Sequence, residues 1–576
     1  MTGLDYLVLL MYVAGVFVIG GIFGGKIKNS RDMFAAGGQS PWWVSGLSSF
    51  MTMFSAGTFV VWGGIAYKHG MVGISINLCN GIAAMLAGYL VAGRWKRIGV
   101  TTGAKFVELR FGRVALQFYT WTGIVYKMLA IGVALYSVAV LLSALVPVPE
   151  GYFFRDPVTG HLAVSWALLL FGCIVVIYTV VGGLWAVLMT DVLQFIVLSL
   201  AVAIVIPLII VHERIGGFTG FIERAPEGFL SPTAGEFTWF FLCCWVAIQF
   251  FSIGGEWGFA QRFICVSSER DAKRSAWLFG ALYLVSPFIW MLPPMMYRLV
   301  NPDADPKEAY ILACREVLPP GVVGLMLAAM FSATASMIDS QLNVFSGVLT
   351  RDFYRPLLKP DSSERHLVLV GRIMTTVLGL ILIGVALSVP NLGGVENVVL
   401  SVGGLMMVPL LSPTVFGMLS PRIDTKAVWL TAGTCFIAGI TLKFGLNPGG
   451  FLSGIALTTP LSRWIQANSR SAEMLVGVVI PVLILVVLVW RIRVTHHGWL
   501  RVEEHALSQI ALEKPETSEL PARMLAWTVG IMGILILALT FLQNRVSPVL
   551  YVFGFLLIAI AGGIGWRLTT HRKRYT

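Results

Sequence analysis

Five polar residues between positions 332 and 343 fall on one face of a segment that is otherwise apolar. Ser332, Ser336, Asp339, Ser340 and Asn343 sit at spacings of 0, 4, 7, 8 and 11 in the run SATASMIDSQLN, and residues at those intervals share one side of a helix. The run belongs to a long apolar stretch beginning near Gly321. A carboxylate facing lipid costs about 3 kcal/mol or more, so this stripe must face protein, water or an ion. Two readings follow: an ion or solute path, or a packing surface where small hydroxyls let helices approach. A second carboxylate, Asp191 in TDVLQ, also lies in an apolar stretch, and that favours the path.

Composition says what must position these groups. The chain has 576 residues, 57% of them hydrophobic and 12% charged, with mean hydropathy +0.82. Apolar runs of about 20 residues recur along its length, each enough to cross a hydrocarbon layer about 30 Å thick. This is the pattern of an all-α, polytopic membrane protein set in a lipid bilayer. The net charge of +12 does not point to nucleic acid, because the basic residues lie in short inter-span loops. The seven cysteines show no metal-ligand or disulfide spacing.

About fifteen spans are expected, at 4–24, 43–66, 72–93, 115–146, 163–182, 186–211, 237–255, 275–299, 320–350, 367–389, 395–419, 425–445, 472–490, 523–543 and 547–566. Loops bearing Lys26, Lys28 and Arg31, then Arg94, Lys96 and Arg97, then Arg270, Lys273 and Arg274 alternate onto one side, as do Arg351 and Arg355, Arg422 and Lys426, and Arg491 and Arg493. The excess of Lys and Arg on cytoplasmic loops places the N terminus outside the cell membrane and the C terminus in the cytoplasm.

Two spans read as broken. The second carries Gly57, Gly63 and Gly64 in SAGTFVVWGG; the seventh, five spans later, carries Ser252, Gly254 and Gly255 in AIQFFSIGGEWG. Interrupted helices at corresponding positions of two repeats are where transporters hold ions and solutes near the midplane. The offset divides the chain into a first helix (1–24), a repeat over 43–211, a second over 237–419, and peripheral spans over 425–490. A cytoplasmic linker (491–522), two C-terminal spans (523–567) and a basic tail (568–576) follow.

Several motifs carry a family resemblance over roughly residues 4–445: SAGTFVVWGGIAYKHG, VGGLWAVLMTDVLQ, GEWGFAQR, MLPPMMYRLVNPD and LPPGVVGLMLAAMFSATASMIDSQLNVFSGVLTRDFYR. In these the chain resembles the sodium:solute symporter family, which contains sodium/glucose, proline, sialic acid and monocarboxylate transporters. The resemblance implies a LeuT-type core of inverted five-helix repeats with flanking helices, alternating access and sodium-driven uptake.

It also implies sites. The coupling cation would lie on the backbone carbonyls of Met51, Phe54 and Ala333 and the hydroxyl of Ser336, with Asp191, Asp339 and Ser340 completing a cluster. Met337 stands where a second Ser or Thr is usual, and a thioether is a poor ligand for a hard cation. The carboxylates can carry a proton instead, so proton coupling is the alternative. The solute would meet Met53, Thr58, Asn77, Asn80, Gln249, Ser252, Tyr283 and Leu400. Phe251 is an alternative stacking group, and Trp62 is a gate or simply packing. No Lys or Arg enters this set, so a neutral sugar or polyol is favoured, with monocarboxylates, sialic acids and amino acids open.

No HExxH motif, partnered GxSxG motif or paired catalytic constellation is present, so an enzyme is not expected. No organic cofactor is expected either, with Na+ acting only as coupling ion. A transporter-like membrane sensor is the competing class.

Overall fold

The computed structural model describes residues 3–24, then 39–510 apart from 182–183, 320, 393, 447–449, 454 and 456–457, scattered positions between 523 and 537, and 548–572. The expected span at 523–543 lies largely outside the described residues, as do Lys26, Lys28 and Arg31 and residues 511–522.

A backbone with no water at hand must bond to itself, and the apolar runs accordingly fold as helices. Helix α1 covers Gly3–Gly24, and a bent pair follows, α2 (Trp42–Met53) and α3 (Thr58–His69). Next come α4 (Met71–Ile98), α5 (Arg113–Leu145), α6 (Val164–Val181) and α7 (Leu184–Ile210). A second bent pair, α8 (Trp239–Gly255) and α9 (Trp257–Ile264), leads to α10 (Glu269–Val300) and α11 (Val322–Leu357). Then follow α12 (Glu364–Leu392), α13 (Gly394–Leu419), α14 (Thr425–Gly445), α15 (Ser469–Arg491), α16 (His497–Ile510) and α17 (Pro548–Arg572). Among the described residues nine helices are long and apolar enough to cross a membrane, or up to eleven when each bent pair counts as one span.

The centre of the bundle is α11, whose most apolar stretch is 94% buried. It packs against α1, α2, α5, α7 and α12, so its polar stripe faces protein. Its N-terminus is held from outside: the Asp5 carboxylate on α1 accepts from the amides of Gly321 at 2.6 Å and Gly324 at 2.9 Å.

The two bent pairs turn by 58° and 55°. The sequence points to the right segments but to the wrong residues. The chain leaves the helix at Phe54 (φ −92°, ψ 132°) and at Glu256 (φ −75°, ψ 135°), whereas Gly57 and Gly63 are helical. Gly255 serves close approach instead: a Cβ there would lie 3.0 Å from the Leu411 carbonyl of α13.

Backbone groups freed at the breaks find side chains. The Ala56 amide donates to Thr334 Oγ1 of α11 at 2.7 Å, and the Gly57 amide to Ser55 Oγ at 3.2 Å. At the second break Trp95 Nε1 of α4 donates to the Gly254 carbonyl at 2.8 Å.

Residues expected as linker contain the amphipathic α16, which docks on the short helix Gly103–Phe111. There Arg110 donates to the carbonyls of Gly417 and Ser420, and its guanidinium lies 5.7 Å from the Trp499 ring.

Thr334→Val keeps the shape of the first break but removes its acceptor. The expected cost is about 1–3 kcal/mol for a buried amide left unpaired, read as a lower melting temperature in detergent. A variant as stable as wild type would mean that the Ala56 amide has another partner.

Candidate functional site

The first cluster is built from four helices around Asp191 of α7, which is fully buried. Ser336 of α11 donates to Asp191 Oδ1, and Ser48 of α2 donates to Oδ2 at 2.5 Å. Arg262 of α9 faces the same carboxylate, its Nη2 3.8 Å from Oδ2 with both side chains at 0% exposure. The guanidinium also donates to Ser48 Oγ at 3.2 Å, Ser340 Oγ at 2.7 Å and the Gly258 carbonyl at 3.0 Å. One turn before Ser336, Ser332 accepts from Gln194 of α7 at 2.6 Å. The spacing of the stripe thus has a direct meaning: successive turns of α11 meet α7 and then α9.

Of the other expected cation ligands, Met51, Phe54 and Ala333 are fully buried on α2, at the first break and on α11, and Asp339 is buried on α11. The Met51 carbonyl accepts from the Phe54 amide at 3.0 Å. Met337 belongs elsewhere. A helix turns about 100° per residue, and Met337 lines a separate cavity.

That cavity, of about 160 Å³, lies between the two breaks. Met53, Thr58, Asn80, Gln249, Ser252 and Tyr283 line it as expected. Asn77 and Leu400 do not. The Asn77 amide turns back to the Gly73 carbonyl of its own helix at 2.8 Å, and Val398 and Val399 take the wall position given to Leu400. Phe251 stacks on Phe416 away from the cavity. Trp62 does reach it, edge-on to Trp245 with ring centroids 5.7 Å apart.

The lining also holds an ion pair absent from the sequence-based set. Lys127 Nζ of α5 lies 2.5 Å from Glu256 Oε2, each side chain 7% exposed. Glu256, the residue at the second break, also accepts from Gln341 Nε2 at 2.8 Å and Ser252 Oγ at 3.2 Å. These are the only charged groups among the described lining residues, so the wall is formally neutral. A smaller cavity of about 40 Å³ shares Tyr126, Lys127, Glu256 and Gln341 with the first, which makes the ion pair a partition between the two. Among the described residues, four polar atoms of the main lining have no hydrogen-bond partner: Asn80 Oδ1, Gln249 Oε1, Trp245 Nε1 and the Tyr126 hydroxyl.

The model of the sodium:solute symporter family matches residues 33–431. The chain belongs to that family. Curated relatives of the symporter include the sodium/glucose cotransporter of Vibrio parahaemolyticus, 26% identical over 77% of this chain and 85% of that one. The sodium/sialic acid symporter NanT of Aliivibrio fischeri is 25% identical over 74% and 85%. A solved structure of a Na+-coupled sialic acid symporter, substrate-bound and outward-open, aligns with a TM-score of 0.64 over 84% of this chain and 98% of that chain, at 20% identity. The symporter thus has the LeuT-type fold expected from the motifs.

Lys127, Glu256, Arg262 and Ser48 were not singled out as site residues from the sequence. A signal existed for two of them. Lys127 lies in the middle of an apolar span, and Arg262 closes the motif GEWGFAQR directly after one; an ionisable group at membrane depth is a functional candidate in its own right.

Lys127→Met or Glu256→Gln alone strands a buried charge and is expected to destabilise the symporter by about 3–5 kcal/mol. The double variant removes both charges and regains most of that loss. Melting temperatures of the three purified proteins check this; losses that simply add would show that the pair does not interact.

Proposed function

We propose that this symporter carries a small, neutral, hydroxyl-rich solute together with sodium by alternating access. The observation that carries the solute class is the neutral cavity with unpartnered polar atoms of both kinds. Two amide oxygens need donors, one indole N–H needs an acceptor and the Tyr126 hydroxyl can serve as either, and a solute hydroxyl is both donor and acceptor. An oxygen cluster around Asp191 and Ser336 supports binding of a hard cation beside it. Broken helices five spans apart support two repeats, residues 43–211 and 237–419. The alternation of basic loops supports an outside N terminus and a cytoplasmic C terminus in the cell membrane.

One observation favours a second reading. Lys127 offers a cavity cation that an acidic sugar would take, provided Glu256 gives way.

Thermal stability of the purified protein tests the assignment even while the solute is unidentified, because a ligand of the folded state raises its melting temperature. Sodium, exchanged against choline at constant ionic strength, should stabilise wild type. Ser336→Ala should abolish most of that effect and Met337→Ala should leave it. Glucose or myo-inositol should add stability in sodium while sialic acid does not; the reverse order selects the acidic sugar. A response to pH and none to sodium would replace sodium by a proton at Asp191.

A further inference from the structure

We propose that Arg262 is a tethered competitor of the coupling cation, occupying with its guanidinium the oxygens on which that cation binds. The inference rests on the cation-site reading given above.

A guanidinium carries a full positive charge and cannot lose it in a protein. Here it is fully buried and engages Ser340 Oγ, Ser48 Oγ and, at 3.8 Å, Asp191 Oδ2. Two of these three, Ser340 and Asp191, are expected cation ligands, and Ser336 bonds the other oxygen of the same carboxylate. A sodium ion arriving at these oxygens meets a like charge a few ångströms away in a medium that screens poorly. It also takes up lone pairs that the guanidinium already uses. The two cations therefore exclude one another from the first coordination layer, and sodium binds as Arg262 swings off Asp191 and Ser340.

Two anchors then remain, the 3.2 Å bond to Ser48 Oγ of α2 and a local one. The Gly258 carbonyl, one turn earlier on α9, moves with it. The carboxylates near the guanidinium are Asp191 on α7, Asp339 on α11 and Glu256 at the second break. Of these Glu256 is bound to Lys127, so the charge released from Arg262 falls on the α11 and α7 side, where the cation arrives. Arginine at this place makes binding weaker than the ligands alone would give, and it keeps the site occupied by a positive charge when sodium is absent.

The test is the sodium concentration at half-maximal stabilisation of the full-length purified protein, with choline holding ionic strength. Arg262→Met should lower that midpoint by at least about tenfold, since a nearby positive charge is gone. Arg262→Lys, which keeps a charge, should stay nearer wild type, and Asp191→Asn should respond weakly or not at all. Arg262→Gln is polar and neutral and serves if the methionine variant does not fold; it should shift the midpoint the same way. A merely structural arginine would leave the midpoint unchanged or raise it, and either result in folded Arg262→Met or Arg262→Gln overturns the proposal while the cation site stands. A wild-type response retained in Asp191→Asn overturns both.

Discussion

Breaking a helix inside a membrane exposes backbone groups that water cannot reach, and each needs a partner from the protein. This requirement organises the symporter. Thr334 is on α11 because Ala56 has a free amide at the first break, and Trp95 reaches across from α4 because Gly254 has a free carbonyl at the second. These bonds tie the breaks to long helices that run unbroken beside them. The two extended residues, Phe54 and Glu256, mark the breaks between which the cavity lies.

Charge follows the same rule of mutual satisfaction. The carboxylate of Asp191 meets Arg262, and that of Glu256 meets Lys127, in each case with hydroxyl or amide donors on the remaining oxygens. Buried pairs of this kind stabilise little compared with an apolar core, since removing two ions from water is costly. Their presence in the membrane-spanning bundle, one of them at the second break itself, therefore speaks for use rather than for strength. The partition formed by Lys127, Glu256 and Gln341 and the oxygen cluster beside Arg262 are separate devices built on adjacent turns of chain.

Much of this was legible in the residues. Span positions followed from run length, as with 395–419, which is α13, the spacing of the polar stripe put Ser336 on one face of α11, and the family resemblance put Asp191 in a cluster with it. The breaks were legible only as segments, because glycine marks both chain flexibility and close contact, and here Gly255 serves contact with Leu411. Other readings failed by rotation. Leu400 and Phe251 each adjoin a residue that lines the cavity, Val399 and Ser252, and one residue turns a helical side chain by about 100°. Asn77 failed for another reason: its amide found a carbonyl in its own helix. Arg262 and Lys127 escaped because a lone basic residue in a span has no periodicity to detect, and its partner is more than 70 positions away in sequence.

The shortness of α9 ties the two devices together. Glu256 stands immediately before Trp257, and Arg262 lies six residues later on the same eight-residue helix, about 9 Å along its axis. Glu256 is extended between two helices, and a helix this short, turned about that residue, would move as one rod. Tilting that rod by about 20° would carry its far end about 3 Å, longer than the 2.7 Å hydrogen bond from Arg262 to Ser340. A small turn at Glu256, where Lys127 and Gln341 are bound, would thus be felt at Ser340 as a whole bond made or lost, with one rigid lever between the two ends.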